Sequence, residues 1–159
     1  LDKGAGKMNR GILFEIPNEY GHHLKQILAN VPIENYYWRS GGEESYVVEN
    51  GELATLLFEG DTPFTGKALR EKIAKQHYLI FVNLKAFPVR ASAREIETYE
   101  QFLASDCEWI VLVIDSSLVA IFAKDQTLLQ QLHTHVASMY KKLEFITAEN
   151  DGFERLTVF

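Results

Sequence analysis

The chain has 159 residues, with 16 Lys and Arg against 22 Asp and Glu, and a formal net charge of -6 at neutral pH. At 47% hydrophobic and 24% charged residues, it has the composition and length of one globular domain that needs no staples. The lone Cys107 excludes an intrachain disulfide, no apolar run approaches the ~20 residues of a membrane span, and acidity without a basic stripe argues against nucleic acid.

The stretch Leu1–Lys7 (LDKGAGK) reads as the remnant of a cleaved tag ahead of Met8, so its Gly-Ala-Gly-Lys string is discounted as a phosphate loop. Residues 8–159 then form a single domain. Gly11–Ile16 is a short apolar run stopped by Pro17, as in a buried strand. Asn18 is placed to cap a helix carrying Leu24, Ile27, Leu28 and Val31, which Pro32 closes. Tyr36–Arg39, Tyr46–Glu49 and Leu53–Phe58 are strand-prone. With turns at Gly41-Gly42 and Asn50-Gly51 they predict a meander. Gly60–Thr65 reads as a loop and Leu69 with Ile73 as a short helix. Tyr78–Phe87 (YLIFVNLKAF) is a strand ended by Pro88.

Ser92 or Ala93 is expected to open a helix with Ile96, Tyr99, Phe102 and Leu103 on one face. Glu108–Ile114 and Leu118–Ala123 form a hairpin about Asp115-Ser116-Ser117. Asp125 caps a helix carrying Leu128, Leu129, Leu132, Val136 and Met139. Leu143–Thr147 and Phe153–Val158 read as a last hairpin. Tight links between paired strands predict an α+β fold. Its sheet is mixed or mostly antiparallel and built from hairpins, with about four helices packed on one face. A helix-strand-strand-helix-strand pattern recurs near 18–87 and 92–148, with poor residue identity between the halves.

Between Ser40 and Gly66 there is no Lys or Arg, but there are Glu43, Glu44, Glu49, Glu52, Glu59 and Asp61. Such a one-signed field acts on encounter and partner choice. Gly60–Lys67 (GDTPFTGK) lies between a strand and a helix, where a phosphate loop belongs. Yet five residues separate its glycines, Ala68 follows Lys67, and Glu59 and Asp61 repel phosphate. Thr65 reads better as an N-cap. Thr62, Thr65 and Lys67 are the ligand-binding candidates of a small-molecule reading. His22-His23, His77, His133 and His135 lack the i,i+4 spacing of a helical zinc pair, so neither a metal nor a cofactor is called for. Cys107 sits between Asp106 and Glu108, which raise a thiol pKa, and no G-x-S-x-G elbow offers a serine nucleophile.

The start MNRGILFEIPN, the stretch YYWRSGGEESY at 36–46 and the strand pair WIVLVIDSSLVAIFAKD at 109–125 carry a resemblance. In these the chain is similar to a bacterial family of small proteins of no assigned function, known mainly from Gram-positive spore formers. The resemblance implies a bacterial cytoplasmic protein and supplies no catalytic residue. In size, acidity and α+β pattern the chain is also similar to immunity proteins of toxin systems. The reading is a non-enzymatic cytoplasmic module that binds a protein with a basic surface, possessing no membrane or nucleic-acid role. Its partner face comprises Tyr37, Trp38, Arg39, Glu43, Glu44, Glu49 and Glu52. An inhibitor of a basic toxin is one form of this, and no pattern specifies an oligomeric state.

Overall fold

Strands that are apolar at every position must be covered on both faces, and Trp109–Ile114 and Leu118–Ala123 impose that condition here. In the computed structural model, which describes residues 8–158, they lie in the middle of a seven-stranded sheet. The stretch 1–7, expected to be a tag remnant, lies outside the described residues. The elements run β1 (Asn9–Glu15), α1 (His23–Ile27), β2 (Tyr37–Ser40), β3 (Ser45–Glu49), β4 (Glu52–Leu56), β5 (Phe64–Thr65) and α2 (Gly66–Ile73). They continue with β6 (His77–Leu79), β7 (Val82–Phe87), α3 (Tyr99–Ala104), β8 (Trp109–Ile114), β9 (Leu118–Ala123), α4 (Gln126–Ala137) and β10 (Lys141–Thr147). The large sheet has the order β10-β1-β9-β8-β7-β2-β5 and the small one β4-β3-β6, with antiparallel pairings throughout. The fold is α+β, as the sequence pattern predicts.

Side chains alternate across a strand, so β8 sends Trp109, Val111 and Val113 to one core and Ile110 and Leu112 to the other. The first core is closed by α1, α2 and α4 through Leu24, Ile27, Leu69, Ile73, Leu129, Leu132 and Val136, and by the small sheet through Val47 and Leu79. The second is closed by Phe102 of α3 and by Ile96, Leu156 and Val158, which lie outside any helix or strand. Cover on both faces corrects the expectation that helices occupy one. Asp125 and Thr65 cap α4 and α2 as expected, their side chains accepting from Leu128 N at 3.0 Å and Ala68 N at 3.1 Å.

Other expectations change. The stretch Phe153–Val158 is no strand. It crosses the second core as an irregular strap, and β10 pairs with β1 instead. β2 leaves the expected meander for the large sheet, between β7 and β5, and β6 takes its place beside β3. The run Tyr78–Phe87 divides between the two sheets. At its corner the buried Ser45 hydroxyl donates to Phe81 O at 2.9 Å and accepts from Ile80 N at 3.3 Å. The region after Ser92 forms a short 3-10 turn (Arg90–Ser92) and then α3 from Tyr99, with Leu103 exposed.

α1 starts at His23, later than expected, because Asn18 accepts from the Tyr78 hydroxyl at 2.6 Å instead of capping. His77, 0% exposed, supplies what a cap would. Its Nε2 accepts from Leu24 N at 3.2 Å, while Nδ1–H donates to Lys75 O at 2.8 Å. Burial, reinforced by His22 and His23, lowers its pKa from 6.5 to about 4 against the opposing Lys75 bond. Unfolded, His77 binds a proton near pH 6.5; folded, it does so only near 4. Stability therefore falls as pH drops through that interval, by up to roughly 3 kcal/mol. Urea unfolding at a series of pH values checks this, and His77→Asn, less stable at neutral pH, is expected to flatten the slope.

Candidate functional site

The six carboxylates of the 40–66 segment separate into two groups once folded. Asp61 meets Arg39, with Oδ1 accepting from the guanidinium at 2.9 Å, and Glu43 turns inward beside Asn83. Glu44, Glu49, Glu52 and Glu59 are exposed, and among the described residues none has a cationic side chain as an ion-pair partner. Glu44 accepts from the Tyr46 hydroxyl at 2.8 Å. Glu49 and Glu52 stand directly opposite each other across the β3–β4 hairpin. The turn between them places Asn50 at φ 54° and Gly51 at φ 79°, the two-residue geometry that Asn-Gly favours. Every residue of β4 is exposed.

Of the aromatic flank expected beside these acids, Trp38 is not on the surface. Trp38 is 0% exposed and donates from Nε1 to Ile33 O at 2.9 Å, so it belongs to the core and meets no partner. β-Strand alternation sends it inward and Tyr37 and Arg39 to the other face. Tyr37 is half-buried, with the Arg90 guanidinium 5.0 Å above its ring. Arg39 keeps a small exposed fraction and is held by Asp61 and, at 3.8 Å, by Glu95.

Arg39 instead belongs to a polar cluster on the second-core face of the sheet. Directly across from it on β7 is Lys85, a fully buried cation. Lys85 Nζ donates to Leu156 O at 2.6 Å, to Asn83 Oδ1, and to Glu95 Oε1 at 2.9 Å. Asn83 Nδ2 donates to Glu95 Oε2 at 2.9 Å, and Ile96 N donates to Glu95 Oε1 at 3.0 Å. Burial lowers the Lys85 pKa against the opposing Glu95 charge. Burial pushes the Glu95 carboxyl up, but Lys85 and the hydrogen bonds it accepts hold it below the ordinary carboxylate range. Asn83, Leu156 O and Glu95 thus satisfy Lys85, and Asp61 and Glu95 flank Arg39 beside it. The cluster reads as a structural tie. Its trace in the sequence is Asn83 and Lys85 at i,i+2 inside an apolar strand, hence on one face.

The Gly60–Lys67 segment does not build a cradle. The Thr65 hydroxyl is engaged as the α2 cap, while Thr62 and Lys67 are exposed. Among the described residues no hydrogen bond joins Thr62, Thr65 and Lys67. Gly66 is required for packing: a Cβ there would overlap Ile33 O in the 3-10 turn Ile33–Asn35, which abuts α2. Cys107 is buried, and burial, rather than the flanking carboxylates, pushes its thiol up to about 12. Such a thiol is inert at neutral pH. Among the described residues no group of three or more His, Cys, Asp or Glu is arranged to hold a metal ion.

Replacing Lys85 with Met strands Asn83 Oδ1, Leu156 O and the Glu95 carboxylate. We expect a loss of roughly 2–4 kcal/mol in urea unfolding. Proteolysis is expected to cut 153–158 faster in this variant. A loss under about 0.5 kcal/mol would contradict the tie. Gly66→Ala is expected to cost about 1–3 kcal/mol from overlap with the turn, read the same way.

The family described as "Protein of unknown function (DUF2691)" matches residues 9–157, and the chain belongs to it. An "Uncharacterized protein YncE" of Bacillus subtilis (strain 168) is 42% identical over 154 residues, covering 95% of this chain and 100% of that protein. No solved structure matches.

Proposed function

We propose that this family member is a non-enzymatic binding module that offers its β3–β4 hairpin to a protein with a basic surface. The Glu49–Glu52 pair carries the reading. Like charges directly opposite on neighbouring strands are destabilising, and here no cation of the described residues relieves them. A Lys or Arg seated between the two carboxylates turns that repulsion into attraction. Because the site is exposed, its gain lies more in association rate and choice of partner than in affinity.

The lone thiol supports a reducing, cytoplasmic setting. Among the described residues no helix is long and apolar enough to cross a membrane. Neutralising a basic toxin is one task that suits such a module.

Glu52→Lys separates stability from binding. In the isolated protein it is expected to raise stability by about 0.5 kcal/mol, because it converts a like pair into an opposite one. At low salt it is expected to cut capture of the protein's partner at least about tenfold, and the wild-type complex is expected to weaken as salt rises. Undiminished, salt-independent capture by Glu52→Lys would sink the reading.

A further inference from the structure

We infer that the tip of the β3–β4 hairpin is a site of spontaneous covalent modification. The Asn50 side-chain amide is converted to a carboxylate through attack by Gly51 N, at a rate set by the Glu49–Glu52 repulsion. The inference concerns the hairpin itself and holds whatever the hairpin binds.

The chain has seven asparagines, at 9, 18, 30, 35, 50, 83 and 150, and Asn50 is the one followed by glycine. With no Cβ beside it, a glycine nitrogen is the least shielded backbone nucleophile. A Cβ built on Gly51 would meet nothing within 4 Å, so no neighbouring element shields it either. Asn50 and Gly51 are both exposed, and among the described residues no hydrogen bond holds the Asn50 amide or Gly51 N. The other amides are engaged or crowded. Asn18 accepts from Tyr78, Asn30 meets His135, and the buried Asn83 is bonded to Lys85 and Glu95. Asn150 accepts from Thr147 N at 2.7 Å and donates to Phe145 O at 3.0 Å. Asn9 and Asn35 precede Arg10 and Tyr36, whose side chains screen the nitrogen.

Gly51 N gives up its proton and attacks Asn50 Cγ. The N–Cγ bond forms, the Cγ–Nδ2 bond breaks, and ammonia leaves with the proton, closing a five-membered succinimide. Water then opens the ring. Breaking the new Cγ–N bond restores the main chain and leaves an aspartate side chain. Breaking the bond between Gly51 N and the Asn50 carbonyl carbon leaves isoaspartate, with the main chain rerouted through Cβ and Cγ. Nothing is oxidised or reduced.

A closed turn opposes the attack, because ring closure requires rotation about the bonds that the turn fixes, with Asn50 at φ 54° and Gly51 at φ 79°. The tip has to open first, and three features favour opening. The register Tyr46↔Leu56 with Val48↔Leu53 sets Ala54 and Thr55 opposite Val47 alone, a bulge that interrupts the ladder. Beyond it only Val48↔Leu53 and Glu49↔Glu52 close the tip. β3 is anchored on its far side by β6 and by Val48 N donating to Gln76 O at 2.9 Å, whereas β4 has β3 as its one neighbour among the described strands. Finally, the pair next to the turn is the like-charged one, which pushes the strands apart.

The aspartate product sets a third carboxylate between Glu49 and Glu52. Isoaspartate adds a methylene to the main chain and breaks the two-residue turn. The hairpin thus ages toward greater negative charge and looser pairing.

Incubating the full chain in mildly alkaline buffer, then digesting it and mapping the peptides by mass spectrometry, tests this. Asn50 is expected to convert before any other asparagine, giving both products and an acidic shift in isoelectric focusing. Glu52→Lys replaces repulsion by attraction and holds the tip closed. Dividing each folded rate by the rate of the same chain unfolded in urea removes the direct effect of the new charge on Gly51 N. That ratio is expected to fall about two- to fivefold in Glu52→Lys. Another asparagine converting first overturns the inference. So does an Asn50 that stays an amide in the folded protein while the unfolded chain converts. A ratio unchanged or raised in Glu52→Lys overturns control by the carboxylate pair.

Discussion

Among the described residues Lys85 is the one Lys, Arg, Asp or Glu that is fully buried, and the second core is organised around satisfying it. An ammonium in that position is tolerable only if all of its protons find acceptors. They come from three separate parts of the chain: Asn83 on its own strand, Glu95 in the irregular stretch before α3, and the Leu156 carbonyl in the C-terminal strap. Neither the stretch nor the strap belongs to a helix or strand. The ammonium therefore gives irregular backbone a fixed address that hydrogen-bond ladders do not provide. The strap is held further by Leu156 N donating to Glu97 O at 2.8 Å and by Arg10 paired with Asp151 at 2.9 Å. Those contacts let apolar Ile96, Leu156 and Val158, with Phe102 of α3, complete the second core.

At its other end the large sheet hands the chain over to the small one. β2 and β5 carry the large sheet to the point where the chain leaves for the small one. The links on either side of the β3–β4 hairpin touch backbone to backbone there. Gly42 adopts φ 77°, and a Cβ on it would press on Gly60. Asp61 N donates to Ser40 O at 2.9 Å across the same crossing. The hairpin thus rises from a tightly joined base, which gives its carboxylates a defined position. Charge is allotted accordingly: Asp61 and Glu95 are paired with cations, and the acids of the hairpin are left to solvent.

Local chemistry was legible wherever a residue acts on its own neighbours. Asn50-Gly51, the Thr65 and Asp125 caps and the Asp115-Ser116-Ser117 turn are each read from a few adjacent residues. The α+β class followed from their spacing. Partnership between distant strands was not legible. Tyr36–Arg39 looks the same whether its neighbour is β3 or β7, and YLIFVNLKAF conceals a corner that only the Ser45 hydroxyl, far away in sequence, stabilises. The strap imitated a strand because Phe153, Leu156 and Val158 are apolar for a different reason, burial against the back of the sheet. At the candidate site the acids of the hairpin were legible from composition. The role of Trp38 was not, since an aromatic beside an arginine serves equally well in a core and on an interface.

The placement of β1 has a consequence for how the protein is made. Among the described strands it comes first in sequence, yet it lies between β9 and β10, so its neighbours are more than a hundred residues further along the chain. Until they are made Ile12 and Phe14 have no sheet to join, and loop closure over more than a hundred residues delays the event. Pairing of β1 is therefore a late step in folding. A ribosome stalled before Leu118 holds a chain whose apolar β1 has neither sheet neighbour, which is a natural target for holding chaperones.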